Sequence, residues 1–224
     1  MRPIVSIFLG AGLLAACTPA SMPPKASAPP PAALTALQEA GSLPLQVNAA
    51  RSLVTFRVHR AGPLARLGHE HVLASHALAG EVLPATGMAR LTLPLATLTV
   101  DEPVLREAAG LDPDVTAEAI AGTRRNLQER VLETARYPLA RILIRRLSAD
   151  QLEVRMEVHG VVHTQAVPVQ LETRSDGSIL ARGDFVVHQR DFGLTPLAVL
   201  GGALQVADAV EVHFQVVADP VAKP

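Results

Sequence analysis

The feature that most constrains this chain is an alternation of apolar and polar residues with a period of two, repeated in segment after segment. It is cleanest where Leu152, Val154, Met156 and Val158 alternate with Glu153, Arg155, Glu157 and His159. Successive side chains of an extended strand point to opposite faces, so each such run has one apolar and one wet face. The rhythm also runs through Leu43, Leu45 and Val47, and through Val54, Phe56 and Val58 against Thr55, Arg57 and His59. It continues over residues 72–83, over 89–100 with Leu91, Leu93 and Leu95 on one face, and over 161–173 with Val167, Val169 and Leu171. Asp176-Gly177 marks a hairpin, after which Ile179, Ala181, Gly183, Phe185 and Val187, then Val210, Val212, Phe214 and Val216, complete the series. The expectation is an all-β domain of about eight antiparallel strands, closed as a barrel or stacked as a sandwich.

One stretch breaks the rhythm. Asp112-Pro113 places a capping carboxylate before a proline at a first helical position, with Asp114 and Glu118 at the positive end of the dipole. Ile120, Leu127 and Val131 fall on one stripe, which predicts a helix over 113–135. Tyr137-Pro138 stops it, because the residue before proline avoids the helical region.

A barrel of about eight strands encloses just enough space for side chains or one slender ligand. Only five Phe, one Tyr and no Trp occur in the 224 residues, so the inward positions fall to Val, Leu, Ala and Gly. Small lining residues leave volume, which favours an elongated apolar cavity; a tightly closed sandwich of small residues is the alternative.

The N-terminus predicts export. Arg2 precedes an apolar run of eleven residues, 4–14, shorter than the roughly 20 needed to span a bilayer as a helix. The run reads as a signal peptide, and Leu14-Ala15-Ala16-Cys17 resembles the lipobox of bacterial lipoproteins. That resemblance implies that Cys17, the one cysteine, is acylated and anchors the mature chain to a membrane. Two or more acyl chains hold a protein there stably where one does not. Thr18 rather than Asp after the cysteine resembles the outer-membrane sorting pattern, which implies a lipoprotein facing the periplasm. The expected organisation is signal peptide 1–16, a proline- and alanine-rich tether 17–42, a barrel domain 43–219 and a tail 220–224.

Charge and motifs exclude several functions. With 20 basic against 21 acidic residues there is no electrostatic footprint for nucleic acid. There is no GxSxG elbow, Walker loop or CxxC pair, and no catalytic residue is assigned. Gly10-Ala11-Gly12 lies in the leader and Arg182-Gly183-Asp184 inside an expected strand, so neither is a functional motif. The histidines cluster at Gly68-His69-Glu70-His71, with His76 five residues on. His69, His71 and His76 are candidate ligands for a Zn, Ni or Cu ion, although Leu73 occupies the place where HExxH needs its second histidine. The alternative is a polar loop at the barrel mouth whose histidines hydrogen-bond locally. His59, His159 and His213 fall on outward parities and are expected to face solvent.

Residues 52–58 (SLVTFRV), 131–138 (VLETARYP), 158–169 (VHGVVHTQAVPV) and 185–194 (FVVHQRDFGL) resemble, in order, successive signatures of the YceI-like family. The resemblance covers residues 43–219 and implies an exported, lipocalin-like antiparallel barrel that binds a polyisoprenoid, an isoprenoid quinone or another long-chain amphiphile. No cofactor is expected beyond such a bound lipid. The residues expected to line the cavity are Val54, Phe56, Val58, Leu91, Leu93, Leu95, Val154, Met156, Val167, Val169, Phe185, Val187, Val212 and Phe214, with His76 and His163 as polar contacts. The chain departs from the family pattern at residues 67–71 (LGHEH) and 123–127 (TRRNL), both expected at the cavity mouth. Rival readings are a metal or metallocofactor protein using the histidine loop, and an enzyme acting on a periplasmic lipid or metabolite.

Overall fold

The computed structural model describes residues 43–221. The expected signal peptide, Cys17 and the tether lie outside the described residues. Among the described residues thirteen strands, the longest of 17 residues, join into one antiparallel sheet. They are β1 (Leu45–Val47), β2 (Leu53–Ala61), β3 (His71–Ser75), β4 (Ala79–Leu83), β5 (Met88–Pro94), β6 (Thr99–Val100) and β7 (Leu139–Arg146). The rest are β8 (Gln151–Val158), β9 (Val161–Pro168), β10 (Gln170–Thr173), β11 (Ile179–His188), β12 (Ala198–Val199) and β13 (Leu204–Pro220).

These thirteen strands form eight staves. β1 and β2 pair with the same edge of β13 and are parted by a 3₁₀ turn, Ala49–Arg51, whose Arg51 amide donates to Asn48 Oδ1 at 3.2 Å. β3 and β4 follow one another against β2 and β1, and β5 and β6 against β4 and β3. β9 and β10 are parted by Val169 alone, and β12 is a small hairpin partner added to β13. From β5 the pairing runs through β7, β8, β9/β10, β11 and β13, which returns to β2 and β1. The sheet thus closes on itself, which removes its edges. Between the expected alternatives the barrel holds.

The structure corrects the continuity of three expected strands. The stave over 72–83 breaks at 76–78, and beyond the break Gly80 takes φ +143°. A Cβ there would sit 2.1 Å from the Arg90 carbonyl oxygen, so only glycine lets β4 press this closely on β5. The stave over 89–100 breaks after Pro94, so Leu95 belongs to a 3₁₀ turn, Leu95–Thr97, rather than to a strand face. Leu95 nevertheless stays buried, its amide donating to the Pro138 carbonyl at 2.9 Å. The stave over 161–173 breaks at Val169, whose amide donates to the Asp150 carbonyl.

The expected helix over 113–135 is also corrected. It shortens at both ends to α2 (Ala117–Asn126), which ends in a single π turn, Leu127–Val131, and a separate short helix, α1 (Pro103–Ala108), precedes it. Thr116 caps α2, its hydroxyl accepting from the Ala119 amide at 3.2 Å. Asp112 instead accepts from the Asp114 amide at 2.9 Å, an Asx turn that competes with helix initiation and keeps Pro113 outside any helix.

Candidate ligand chamber

Small inward side chains leave two adjoining apolar chambers inside the barrel, of about 350 and 230 Å³. Val54, Leu91, Val154, Met156, Val167, Phe185, Val212 and Phe214 line the larger one. Val58, Leu95 and Val187 line the smaller. Phe56 and Leu93, with Ala140 and Val158, line both, so the chambers meet at a waist built from β2, β5, β7 and β8. Leu127 and Val131, beyond α2, cover the smaller chamber with the apolar stripe read from the helix pattern.

Three expected contacts lie elsewhere. Val169 is buried in the core but lines neither chamber; it stands at the break between β9 and β10, its amide bonded to the Asp150 carbonyl. His76 stands one residue beyond the end of β3, where the stave bends; its side chain is 52% exposed and its Nε2 lies 2.9 Å from Glu102 Oε1. His163 keeps inward parity opposite Met156, but its ring packs edge-on against Phe192 at 5.7 Å between centroids. Phe192, not His163, is the side chain that the smaller chamber meets.

The polar groups that do reach the smaller chamber are His71, Thr123, Asn126 and Gln189; Arg146 and Thr173 reach the larger. Sequence reasoning missed them as cavity residues, although the two family departures at 67–71 and 123–127 contain three of the four in the smaller chamber. It also passed over β7, where Ala140, Ile142 and Ile144 alternate with Arg141, Leu143 and Arg145 in a readable period of two.

The histidine loop does not converge on one point. His69 is exposed before β3 begins, His71 points to the chamber, and His76 bonds Glu102 on the outside. Among the described residues no group of three or more His, Cys, Asp or Glu is arranged to hold a metal ion.

His71 instead belongs to a buried ionic network. Its Nδ1 lies 2.6 Å from Oδ2 of Asp101, which is 1% exposed and follows β6. Asp101 Oδ1 accepts from the Val72 amide at 3.0 Å and from Arg106 Nη1 at 2.8 Å. Arg106, on α1 and itself buried, also donates to the carbonyls of Glu70 and Asp112. Burial pushes the Asp101 carboxyl up, but the bonds from His71, the Val72 amide and Arg106 outweigh it and hold it below the usual aspartate range. Glu70 is likewise drawn down against its partial burial by Arg57 and His59, and Glu102 by Thr99 and His76.

The outward histidines are less free than their parity suggests. His59 sits between Glu70 and Glu211, at 3.3 and 3.1 Å. His159, with φ +53°, packs tilted against Tyr137 with ring centroids 4.2 Å apart and its side chain is only 17% exposed, because the turn between β8 and β9 folds back over that ring. His213 is exposed and bonds Asp184.

The chain is similar in fold to BcnA of Burkholderia cenocepacia, with a TM-score of 0.53 at 16% identity over 76% of this chain and 98% of that one. It is also similar to a polyisoprenoid binding domain from Saccharophagus degradans, with a TM-score of 0.56 at 14% identity over 79% and 98%. Among curated proteins none matches this chain in sequence. The YceI-like domain model matches residues 45–218, the span from the first stave to the last. The chain belongs to the YceI-like domain family.

Proposed function

We propose that this barrel binds a long-chain amphiphile, a polyisoprenoid or an isoprenoid quinone, for storage or transport at the bacterial envelope. The observation that carries the reading is the pair of apolar chambers that meet at Phe56, Leu93, Ala140 and Val158. Native interiors are close-packed, and an empty apolar space forfeits the dispersion contacts its walls would otherwise make. A space of this size falls in the range of small-molecule sites, and its walls suit hydrocarbon. Burying on the order of 400 Å² of chain supplies about 10 kcal/mol before ordering costs, ample for retention. That a structurally similar domain is described as polyisoprenoid binding agrees with this reading. The role is one of binding rather than catalysis.

Acylated Cys17, through the tether, holds the barrel at the membrane with its domain in the periplasm, at the outer membrane. The deciding experiment is mass spectrometry of an organic extract of protein purified from its own envelope. A stoichiometric prenyl lipid or quinone is expected. An extract free of amphiphile, from protein that also fails to take up supplied lipid, overturns the reading. Placement is tested separately: Cys17→Ala should move the protein from the membrane fraction to the soluble one.

A further inference from the structure

We infer that two loops beside the smaller chamber dock this end of the barrel onto an anionic lipid bilayer, with Leu67, Val199 and Leu200 as the side chains that enter it. The segments are 61–68 (AGPLARLG), at the end of β2, and 193–203 (GLTPLAVLGGA), which leads into β13. They lie against one another. The Leu64 amide donates to the Ala203 carbonyl at 2.8 Å, Val199 pairs with Leu204, and a Cβ on Gly68 would sit 2.8 Å from Leu204 Cδ1. The ridge so formed exposes large apolar side chains, Leu67 at 62% and Leu200 at 70%, with Val199 next to Leu200.

Leu200 is held there against its own preferences. Its φ is +52°, and Gly201 and Gly202 follow at +65° and +89°. A left-handed backbone suits glycine or asparagine, and a leucine in it is strained even before its side chain meets water. Neither local conformation nor the core explains a leucine at this point, so its apolar partner comes from outside the fold. Exposed apolar patches mark protein or membrane contacts, and charge favours the membrane. Arg66 is the one charged residue in the two segments, and Arg60, exposed near the end of β2, adds a second cation. The carboxylates flanking the segments face basic side chains of their own: Glu70 faces Arg57 and His59, Asp191 faces His163, and Asp208 faces His188. A ridge of this composition sinks its apolar side chains among acyl chains while its guanidinium groups meet phosphate.

The ridge is continuous with the chamber, since Leu194 and Leu197 of the same segment line it and the exposed run begins at Ala198. Docking sets the chamber beside the hydrocarbon that it takes up; that purpose rests on the lipid-binding reading, whereas the docking does not. The tether permits the approach. β1 begins at Leu45 opposite Pro220, so the chain enters at the far end of the barrel. Residues 17–42 can reach at most about 85 Å, more than the roughly 55 Å run of the 17 residues of β13.

The chain has no tryptophan, so one introduced by substitution reports on its own site alone. Full-length acylated Leu200→Trp protein is reconstituted on vesicles of phosphatidylethanolamine and phosphatidylglycerol, with and without bromine on the acyl chains. Its emission should shift to the blue on the vesicles and be quenched by the brominated lipid. Leu67→Trp should behave alike, and Val186→Trp, on the outer wall of β11, should do neither. Exchanging phosphatidylglycerol for phosphatidylcholine, or adding Arg66→Gln, should weaken the quenching. The docking is overturned if quenching falls on Leu43→Trp at the tether end and spares residues 67 and 200, or if no site is quenched. It is also overturned if residue 200 shifts to the blue without vesicles as protein concentration rises, which puts a second copy on the ridge. Unquenched residues 67 and 200 in protein that yields extractable lipid sink the docking alone. Quenched residues in protein that holds no amphiphile sink the lipid reading alone.

Discussion

Ala140 is the narrowest choice in the molecule. It sits at the waist, lines both chambers and is one of the small residues whose size leaves the space open. Ala140→Phe should fill the waist and lower retained lipid about tenfold or more, while the folded state persists because the ring occupies volume that is otherwise apolar and empty. Lipid extraction and thermal unfolding of the same preparation check both halves. Gly160 is a different case, fixed by backbone. Its φ is +76° and a Cβ would lie 3.2 Å from the Tyr137 ring, so Gly160→Ala should cost about 1–3 kcal/mol in denaturant unfolding. At this scale most of the expected lining was legible because face is a local property: Val54, Phe56 and Val58 point inward wherever the strand lies. His76 and His163 were not legible as non-contacts. One lies past a strand end, and the other is screened by Phe192, whose position depends on the turn after β11.

At the scale of elements, α1 is held by a single buried side chain. Arg106 joins Asp101, the Glu70 carbonyl and the Asp112 carbonyl, and so ties the helix, the histidine loop and the following turn to β3. Arg106→Ala should destabilise the domain by about 3–5 kcal/mol, since it leaves the Asp101 carboxylate buried with its ionic partner gone. Hydrogen exchange should show α1 amides opening before those of the staves. A milder loss, about 1 kcal/mol, is expected for Thr116→Ala at the start of α2. The helical segment was legible as a departure from period two, but its start was not. Asp112-Pro113 carries every mark of a helix N-terminus, and the carboxylate closes an Asx turn instead, while Arg106 takes the Asp112 carbonyl.

For the whole molecule, stability should depend on acid in a definite direction. Asp101, Glu70 and Glu102 all have lowered folded values. A depressed carboxyl contributes stability that is complete above its unfolded value, near pH 4, and is lost as pH falls through the lower folded value. The midpoint of thermal unfolding should therefore fall as pH drops below about 4, and Asp101→Asn should flatten that dependence. The faces are set by local pattern: which residues of each segment are apolar together, that there are about eight staves, and that their inward side chains are small for a barrel. The tertiary structure alone decided where those faces are interrupted and which polar groups reach the interior. His71 meets Asp101 across 30 residues of chain, and Arg106 meets Glu70 across 36. Alternation is written in neighbouring residues and survives any fold that keeps the strand. Contacts of that span exist only once register and closure bring distant segments together, and no local pattern records them.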